Sequence, residues 1–363
     1  MTTTTGIPQS PMSSANLVEA LEYLRANPAR REAVIRALVS SEAELQHNSN
    51  LNVREKLTGP FVDAMFTHGE TVTKAIRGGL IYECGYTSKI IRDFVMAGAE
   101  PSHVYEPQNT RLMTELGRDA RNVIIGGAFI GDHALPVAKA MAAGAVVHAF
   151  EVSPVNIGYL RKNAERNGIG NIVINEIALW SDDAARIGIR GEDSHASPFR
   201  LEFDDGTGVP ATTIDRYVAA RSIASVDVIL LDIEGGEIEA LKGASSLLMQ
   251  PPATAPTVIF EVHASYVDWS HGLRNATIVR HLSDHGYSVY ALRDYNSNID
   301  MADFPIELVD LADIYLEGPP HGFNMVAIKD TGLIARHGWQ VRSGVSPKLL
   351  KHGNPAYHAP IKA

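Results

Sequence analysis

The 363-residue chain has a single cysteine, Cys84. One thiol forms no intramolecular disulfide and no cysteine-based zinc site, so Cys84 reads as a buried structural residue. Long apolar runs are missing too. The richest stretch, 134–150, is broken by Lys139 and Gly144, short of the ~20 residues that span a bilayer. The first residues lack the basic and apolar regions of a secretory signal. The expectation is a cytoplasmic protein with no membrane partner. A basic excess is absent as well: 32 Lys and Arg stand against 42 Asp and Glu, for a net charge of -10. That balance disfavours a nucleic-acid partner, which needs a cationic face.

What is present is an ordinary globular composition, 45% hydrophobic and 20% charged. The length suggests two domains, or one large domain with an extension. Residues 1–14 are rich in Thr, Ser and Pro and read as a flexible N-terminus. Residues 15–120 read as a helical region, broken at Asn27-Pro28, with helices expected over 87–97 and over 110–119 behind an Asn109 cap. From residue 121 the grammar changes. Seven apolar runs (123–125, 145–150, 172–177, 226–231, 257–262, 288–292 and 323–328) alternate with helical stretches at 132–143, 154–167, 236–248 and 273–285. Continuous apolar strands between helices predict an α/β domain over 121–330, with a mostly parallel sheet covered on both faces. Short alternating runs at 186–190, 199–203 and 210–214 look like an inserted hairpin or edge strands. Residues 331–363 form a basic tail without a single acid, carrying Arg336, Arg342, Lys348, Lys351 and Lys362. It either contacts an anionic substrate or packs on an acidic face.

The segment from Val123 to Gly131 is strand, glycine-rich turn, helix. Glycines allow a sharp turn and close ligand approach, and the following helix offers free N–H groups. Glu151 follows at the end of the next strand, where a carboxylate accepts hydrogen bonds from ribose hydroxyls. Turn and acid together indicate a nucleoside cofactor, and the local pattern fits both a dinucleotide and S-adenosylmethionine. Further on, Asp232, Glu234 and Glu237 leave one strand tip together, and Glu261 and His263 share a face at the end of the next strand.

Beyond the turn, Phe150-Glu-Val-Ser-Pro154, Asn156, Ala178-Leu-Trp-Ser, Thr213-Ile-Asp215, Asp232-Ile-Glu-Gly-Gly-Glu237 with Leu241-Lys-Gly-Ala244, and Glu261-Val-His263 follow in order. This series over about 122–330 resembles the FkbM family of S-adenosylmethionine-dependent methyltransferases. The resemblance implies a Rossmann-like, seven-stranded class I methyltransferase fold and O-methylation of a sugar or natural-product hydroxyl. It places Gly127, Ala128 and Gly131 at the methionine end of the cofactor and Glu151 at the ribose. Val152, Asn156, Ala178, Leu179 and Trp180 would surround the adenosine, with Asp232 near the methionine amine or the reacting centre. The family's usual acid at position 125 is Ile here, and its usual Asn is Phe129; Glu106, just before the first strand, is the expected stand-in for the acid.

For the chemistry, His263 is the expected general base, with Asp232 and Glu261 beside it, since an ordinary imidazole titrates near neutrality. His133 is second choice. Asp232, Glu234 and Glu261 could alternatively bind Mg²⁺, a hard ion that takes oxygen ligands. The expected partner is a small-molecule acceptor. The helical N-terminal region would act as a lid or a homodimer interface. N- or C-methylation, an NAD(P)-dependent oxidoreductase and a non-catalytic binding protein stand as alternatives.

Overall fold

The computed structural model describes residues 14–46, 51–190, 197–202, 206–316 and 322–362. The expected flexible N-terminus lies outside them, apart from Ser14, and so does Phe203 of the run at 199–203.

The N-terminal region opens with α1 (Ser14–Ala26) and α2 (Pro28–Gln46), divided where the sequence places Asn27-Pro28. A π-helical turn at Arg54–Thr58 leads into α3 (Gly59–Ala64), and α4 (Lys89–Met96) and α5 (Pro107–Gly117) follow. The region is not purely helical, however. A hairpin of β1 (Thr71–Ala75) and β2 (Ile81–Gly85) sits between α3 and α4. Gly78 and Gly79 turn it with φ of 91° and 84°, and Thr71, Val72, Thr73 and Tyr82 favour the pleat. Cys84 is fully buried here, and burial pushes its thiol up to about 12; it is an inert core residue. Helix α5 starts three residues earlier than its sequence suggests. Glu106, not Asn109, occupies the N-cap, in the left-handed region at φ 46°.

The α/β domain is built on β3 (Asn122–Gly126), β4 (Val146–Phe150), β5 (Ile172–Asn175), β10 (Val228–Leu231), β11 (Thr257–Val262), β12 (Ser288–Leu292) and β14 (Phe323–Ile328). These are the seven expected strands. They lie in the order β5-β4-β3-β10-β11-β14-β12, and only β14 among them runs antiparallel. Alternate residues serve opposite faces. Val123, Ile125 and Leu230 enter one core, while Ile124, Ile229 and Leu231 enter the other. Helices α6 (Ala134–Ala140), α7 (Pro154–Arg166), α9 (Glu237–Lys242), α10 (Ser245–Leu248) and α11 (Thr277–Asp284) provide the cover.

The sheet has nine strands rather than seven. β13 (Glu307–Asp310) pairs with β12, and β15 (Gln340–Arg342) pairs with β13. The second of these comes from the basic tail. Arg342 is fixed to Glu307 at 2.6 Å, and the same Glu307 holds the fully buried Arg293 at 2.7 Å. Tail helices α12 (Gly332–His337) and α13 (Pro355–His358) flank this added edge. The insertion forms a smaller sheet from β6 (Ala178–Leu179), β7 (Arg186–Arg190), β8 (Ser197–Arg200) and β9 (Val209–Thr212), and α8 (Ile214–Ala220) follows it.

Candidate active site

The chain runs from β3 outward to β5, then crosses back to β10 and continues outward the other way. The switch point therefore lies between β3 and β10, where open α/β sheets bind ligands beyond their strand ends. The glycine turn and the Asp232 loop meet there. Asp232 donates its amide to Gly126 at 3.0 Å. Gly127 sits at φ 77°, and a Cβ on it would come within 1.8 Å of the Asp232 carbonyl oxygen. At Gly131, φ is 91° and a Cβ would strike Leu135 at 2.0 Å. Both glycines are thus demanded by the fold itself. Phe129 occupies the tip of the turn in the left-handed region at φ 44°, a conformation that costs a bulky residue about 1–2 kcal/mol.

Glu151 stabilises that tip. Its carboxylate accepts from the amides of Phe129 at 2.8 Å, Val152 at 2.9 Å and Ser153 at 2.8 Å. Burial raises its pKa, and these bonds, with the Asn156 side chain, pull the other way. These three amides and the Asn156 side chain fill about the four acceptor positions of an ionised carboxylate, so a ligand hydroxyl at Glu151 takes the place of Asn156. Asn156 stands in the first turn of α7, capped by Ser153. Ala178, Leu179 and Trp180 are buried. Trp180 packs with Ala178, Ile187 and Ala211 beneath the small sheet.

Across the switch point the acids are arranged differently. Asp232, Glu234 and Glu261 each bring one carboxylate oxygen within 4.8 Å of the others. Glu234 is held in the left-handed region at φ 52°. Burial raises all three, with repulsion from Glu261 adding at Asp232 and Glu234 and repulsion from Glu106 adding at Glu261: Asp232 lies far above the usual range, Glu234 at about 8 and Glu261 at about 7. Tyr266 donates its hydroxyl to Glu261. Glu237 stands apart, buried and accepting from the Ile233 and Gly235 amides; it shapes the loop.

His263 reaches the same rim, but its Nδ1 accepts from the Ser265 amide at 3.0 Å. A neutral imidazole that accepts at Nδ1 carries its proton on Nε2. In that tautomer the outer nitrogen donates, which is the wrong polarity for a base. His133 is buried. Its Nδ1 meets the Thr110 hydroxyl at 3.1 Å, and its Nε2 lies 3.7 Å from both Glu106 and Asp132. Burial, which disfavours the imidazolium, is outweighed by Asp132, Glu106 and Asp294, so its pKa is raised.

The third part of the site centres on Glu106, the expected stand-in for the missing acid, and adds two asparagines that the sequence pattern does not mark. The Glu106 carboxylate accepts from Asn109 at 3.0 Å and from Asn324 at 2.7 Å. The amide oxygens of those same two asparagines are buried without a partner. Two orphaned acceptors beside a carboxylate suit a donor-rich or cationic group, because an unpaired buried acceptor costs about 1–3 kcal/mol. Asn324 is too far in sequence from Glu106 and Asn109 for spacing to group the three. Only the capping position of Glu106 and the β11–β14 pairing, which sets Asn324 opposite Glu261, bring them together.

Residues 126–289 match the methyltransferase FkbM domain family. The matched segment, less than half of the chain, supports an S-adenosylmethionine-dependent methyltransferase. No curated protein matches the sequence. Solved structures similar to this methyltransferase include an O-methyltransferase from Bacillus cereus in complex with SAH. It is 14% identical, covering 61% of this chain and 78% of that one at a TM-score of 0.34. Precorrin-6y C5,15-methyltransferase from Geobacter metallireducens is 14% identical over 61% and 88%, at 0.33. The O-methyltransferase TomG from Streptomyces achromogenes, in complex with SAM, is 11% identical over 61% and 79%, at 0.34. Likeness this distant carries nothing about what this chain methylates.

The residues fit the cofactor. The cradle between Gly127 and Gly131 is formed, Glu151 sets a buried carboxylate beside it, and the orphaned asparagine oxygens beside Glu106 match the ammonium of a methionine. Among the described residues, no helix is long and apolar enough to cross a membrane.

Proposed function

We propose that the enzyme transfers a methyl group to a hydroxyl oxygen of a small molecule, with Glu261 as the base. When bound, S-adenosylmethionine supplies an electrophilic methyl group on a sulfonium. Glu151 and the turn amides orient the nucleoside, and Glu106 with Asn109 and Asn324 takes the ammonium, replacing the acid missing at Ile125. Alignment of the acceptor supplies most of the acceleration.

The observation that carries the hydroxyl reading is the cluster of Asp232, Glu234 and Glu261. Burial, with repulsion from neighbouring acids (Glu261 and Glu237 on Glu234, Glu106 on Glu261), lifts Glu234 to about 8 and Glu261 to about 7, so these groups exchange protons near neutrality, where base catalysis contributes about 10²–10⁴-fold. Tyr266 fixes the Glu261 carboxylate, and the loss of a hydroxyl proton to Glu261 relieves the repulsion there. His263, with its outer nitrogen donating, orients the acceptor instead.

Mg²⁺ in the same cluster is the second reading, favoured by the 4.8 Å grouping of three oxygens. An ion there would hold an acceptor diol and lower its pKa. The deciding experiment is calorimetric titration with S-adenosylmethionine and S-adenosylhomocysteine, with NAD(P) as control, followed by an acceptor screen with Mg²⁺ or EDTA. Micromolar binding of the first two alone is expected; binding of NAD(P) alone would overturn the reading. Activity that survives EDTA supports Glu261 as the base, whereas activity that requires Mg²⁺ moves the cluster's role to metal binding.

A further inference from the structure

Of the basic tail's five lysines and arginines, three have a partner among the described residues and two do not: Lys351, which is exposed, and Lys348. Arg336 pairs with Asp330, and Arg342 with Glu307. Lys362 lies over the Phe304 ring. Lys348 is different. It is partly buried, and among the described residues its ammonium has no hydrogen-bond or ion-pair partner.

Its position is nonetheless tightly set. The backbone at 347–349 bridges to Asp294: the Asp294 amide donates to Pro347 at 2.9 Å, and the Leu349 amide donates to Asp294 at 2.8 Å. The Asp294 carboxylate in turn accepts from the Gln108 and Asn109 amides, both at 2.9 Å. Lys348 is therefore framed against the first turn of α5, next to Glu106. A second cation, Lys89 at the start of α4, repels it, while Glu106 and Glu261 attract it. Burial with the Lys89 charge lowers its pKa to about 8. Lys89 is itself satisfied by Glu55 at 2.9 Å.

A long side chain is ordinarily left in water or given a partner, because holding an ammonium half out of water next to a like charge is costly. Here a rigid backbone frame holds one against the rim where the acceptor must sit. We propose that Lys348 selects the methyl acceptor by binding an anionic oxygen group on it, a carboxylate or a phosphate. The inference rests on the methyltransferase reading above and names its substrate class. An acceptor with its anion on Lys348 extends its hydroxyl inward, toward Glu261. The tail is then a functional wall of the site, supplied from outside the residues that match the family.

The test is calorimetric titration of the full chain with inorganic phosphate and with acetate, once without cofactor and once saturated with S-adenosylhomocysteine. The proteins are wild type, Lys348→Met and Lys348→Arg. Expected is millimolar binding of at least one anion to wild type, at least tenfold weaker in Lys348→Met and within threefold of wild type in Lys348→Arg. S-adenosylhomocysteine affinity should stay within twofold in all three. No anion binding to wild type would overturn the proposal, as would equal binding to Lys348→Met. A tenfold loss of S-adenosylhomocysteine affinity in Lys348→Met, with folding intact by circular dichroism, would also overturn it, since Lys348 would then serve the cofactor's own carboxylate. If wild type fails to bind S-adenosylhomocysteine, the methyltransferase reading falls, and the cofactor-free titrations still decide the anion site.

Discussion

Two sets of carboxylates face each other across the switch point, and their surroundings are opposite. Glu151 is wrapped by three backbone amides. Asp232, Glu234 and Glu261 are turned toward one another. Backbone donors cost no reorganisation and hold a charge in place, so Glu151 is a fixed acceptor for a neutral ligand such as a ribose. Mutual repulsion does the reverse. It leaves the cluster ready to take up a proton or a cation, and to gain stability when it does. In the proposed function, binding and chemistry are divided between two strand ends that are locked together where Gly127 touches the Asp232 carbonyl.

The contrast can be broken most severely at Glu261. Glu261→Gln should lower turnover about 100-fold or more and leave S-adenosylmethionine affinity within about threefold; unchanged steady-state rates on a true acceptor would remove it as the base. At the other carboxylate the pattern should invert. Glu151→Ala should weaken S-adenosylmethionine binding by about 1–3 kcal/mol, read by calorimetry, and the assignment fails if affinity is unaltered. His263→Ala sharpens the comparison inside the cluster. Because Nδ1 is engaged by the Ser265 amide, its effect on turnover should stay below about tenfold; a loss equal to that of Glu261→Gln would return the base role to the imidazole.

The smallest effect is on stability. The folded-state pKa values of Glu234, Glu237 and Glu261 lie at about 8, 7 and 7, above the ordinary 4.5 of a glutamate. The native state therefore binds more protons than the unfolded chain between these limits, and stability must fall as pH rises through them. The melting temperature of the ligand-free protein should drop by several degrees from pH 5 to pH 8, and Glu234→Gln should flatten that slope. A melting temperature that rises over this interval would contradict the repulsion.

Much of this was legible from residue order. The runs at 257–262, 288–292 and 323–328 became β11, β12 and β14 with the same bounds, because strands buried on both faces leave an unbroken apolar signature. The two edge strands were not legible. Residues 307–310 hold only two apolar side chains, set between two acids, and 340–342 are mostly exposed, so neither carries the signal of a buried strand. The hairpin at 71–85 was read as helix because its apolar residues are too few to show a period of two over a helical one.

At the site, sequence determined the acids and glycines: local spacing is enough to place Glu151 behind the turn and Asp232 at the end of its strand. Which atoms those side chains meet was decided by tertiary structure alone. The tautomer of His263 depends on an amide two residues away. The orphaned oxygens of Asn109 and Asn324 depend on a helix start and a strand more than 200 positions apart. Lys348 reaches the rim only because Asp294 ties the tail to α5. A periodic pattern reports which face of an element is buried, and it is silent on the long-range hydrogen bonds and charges that set protonation, and hence chemistry.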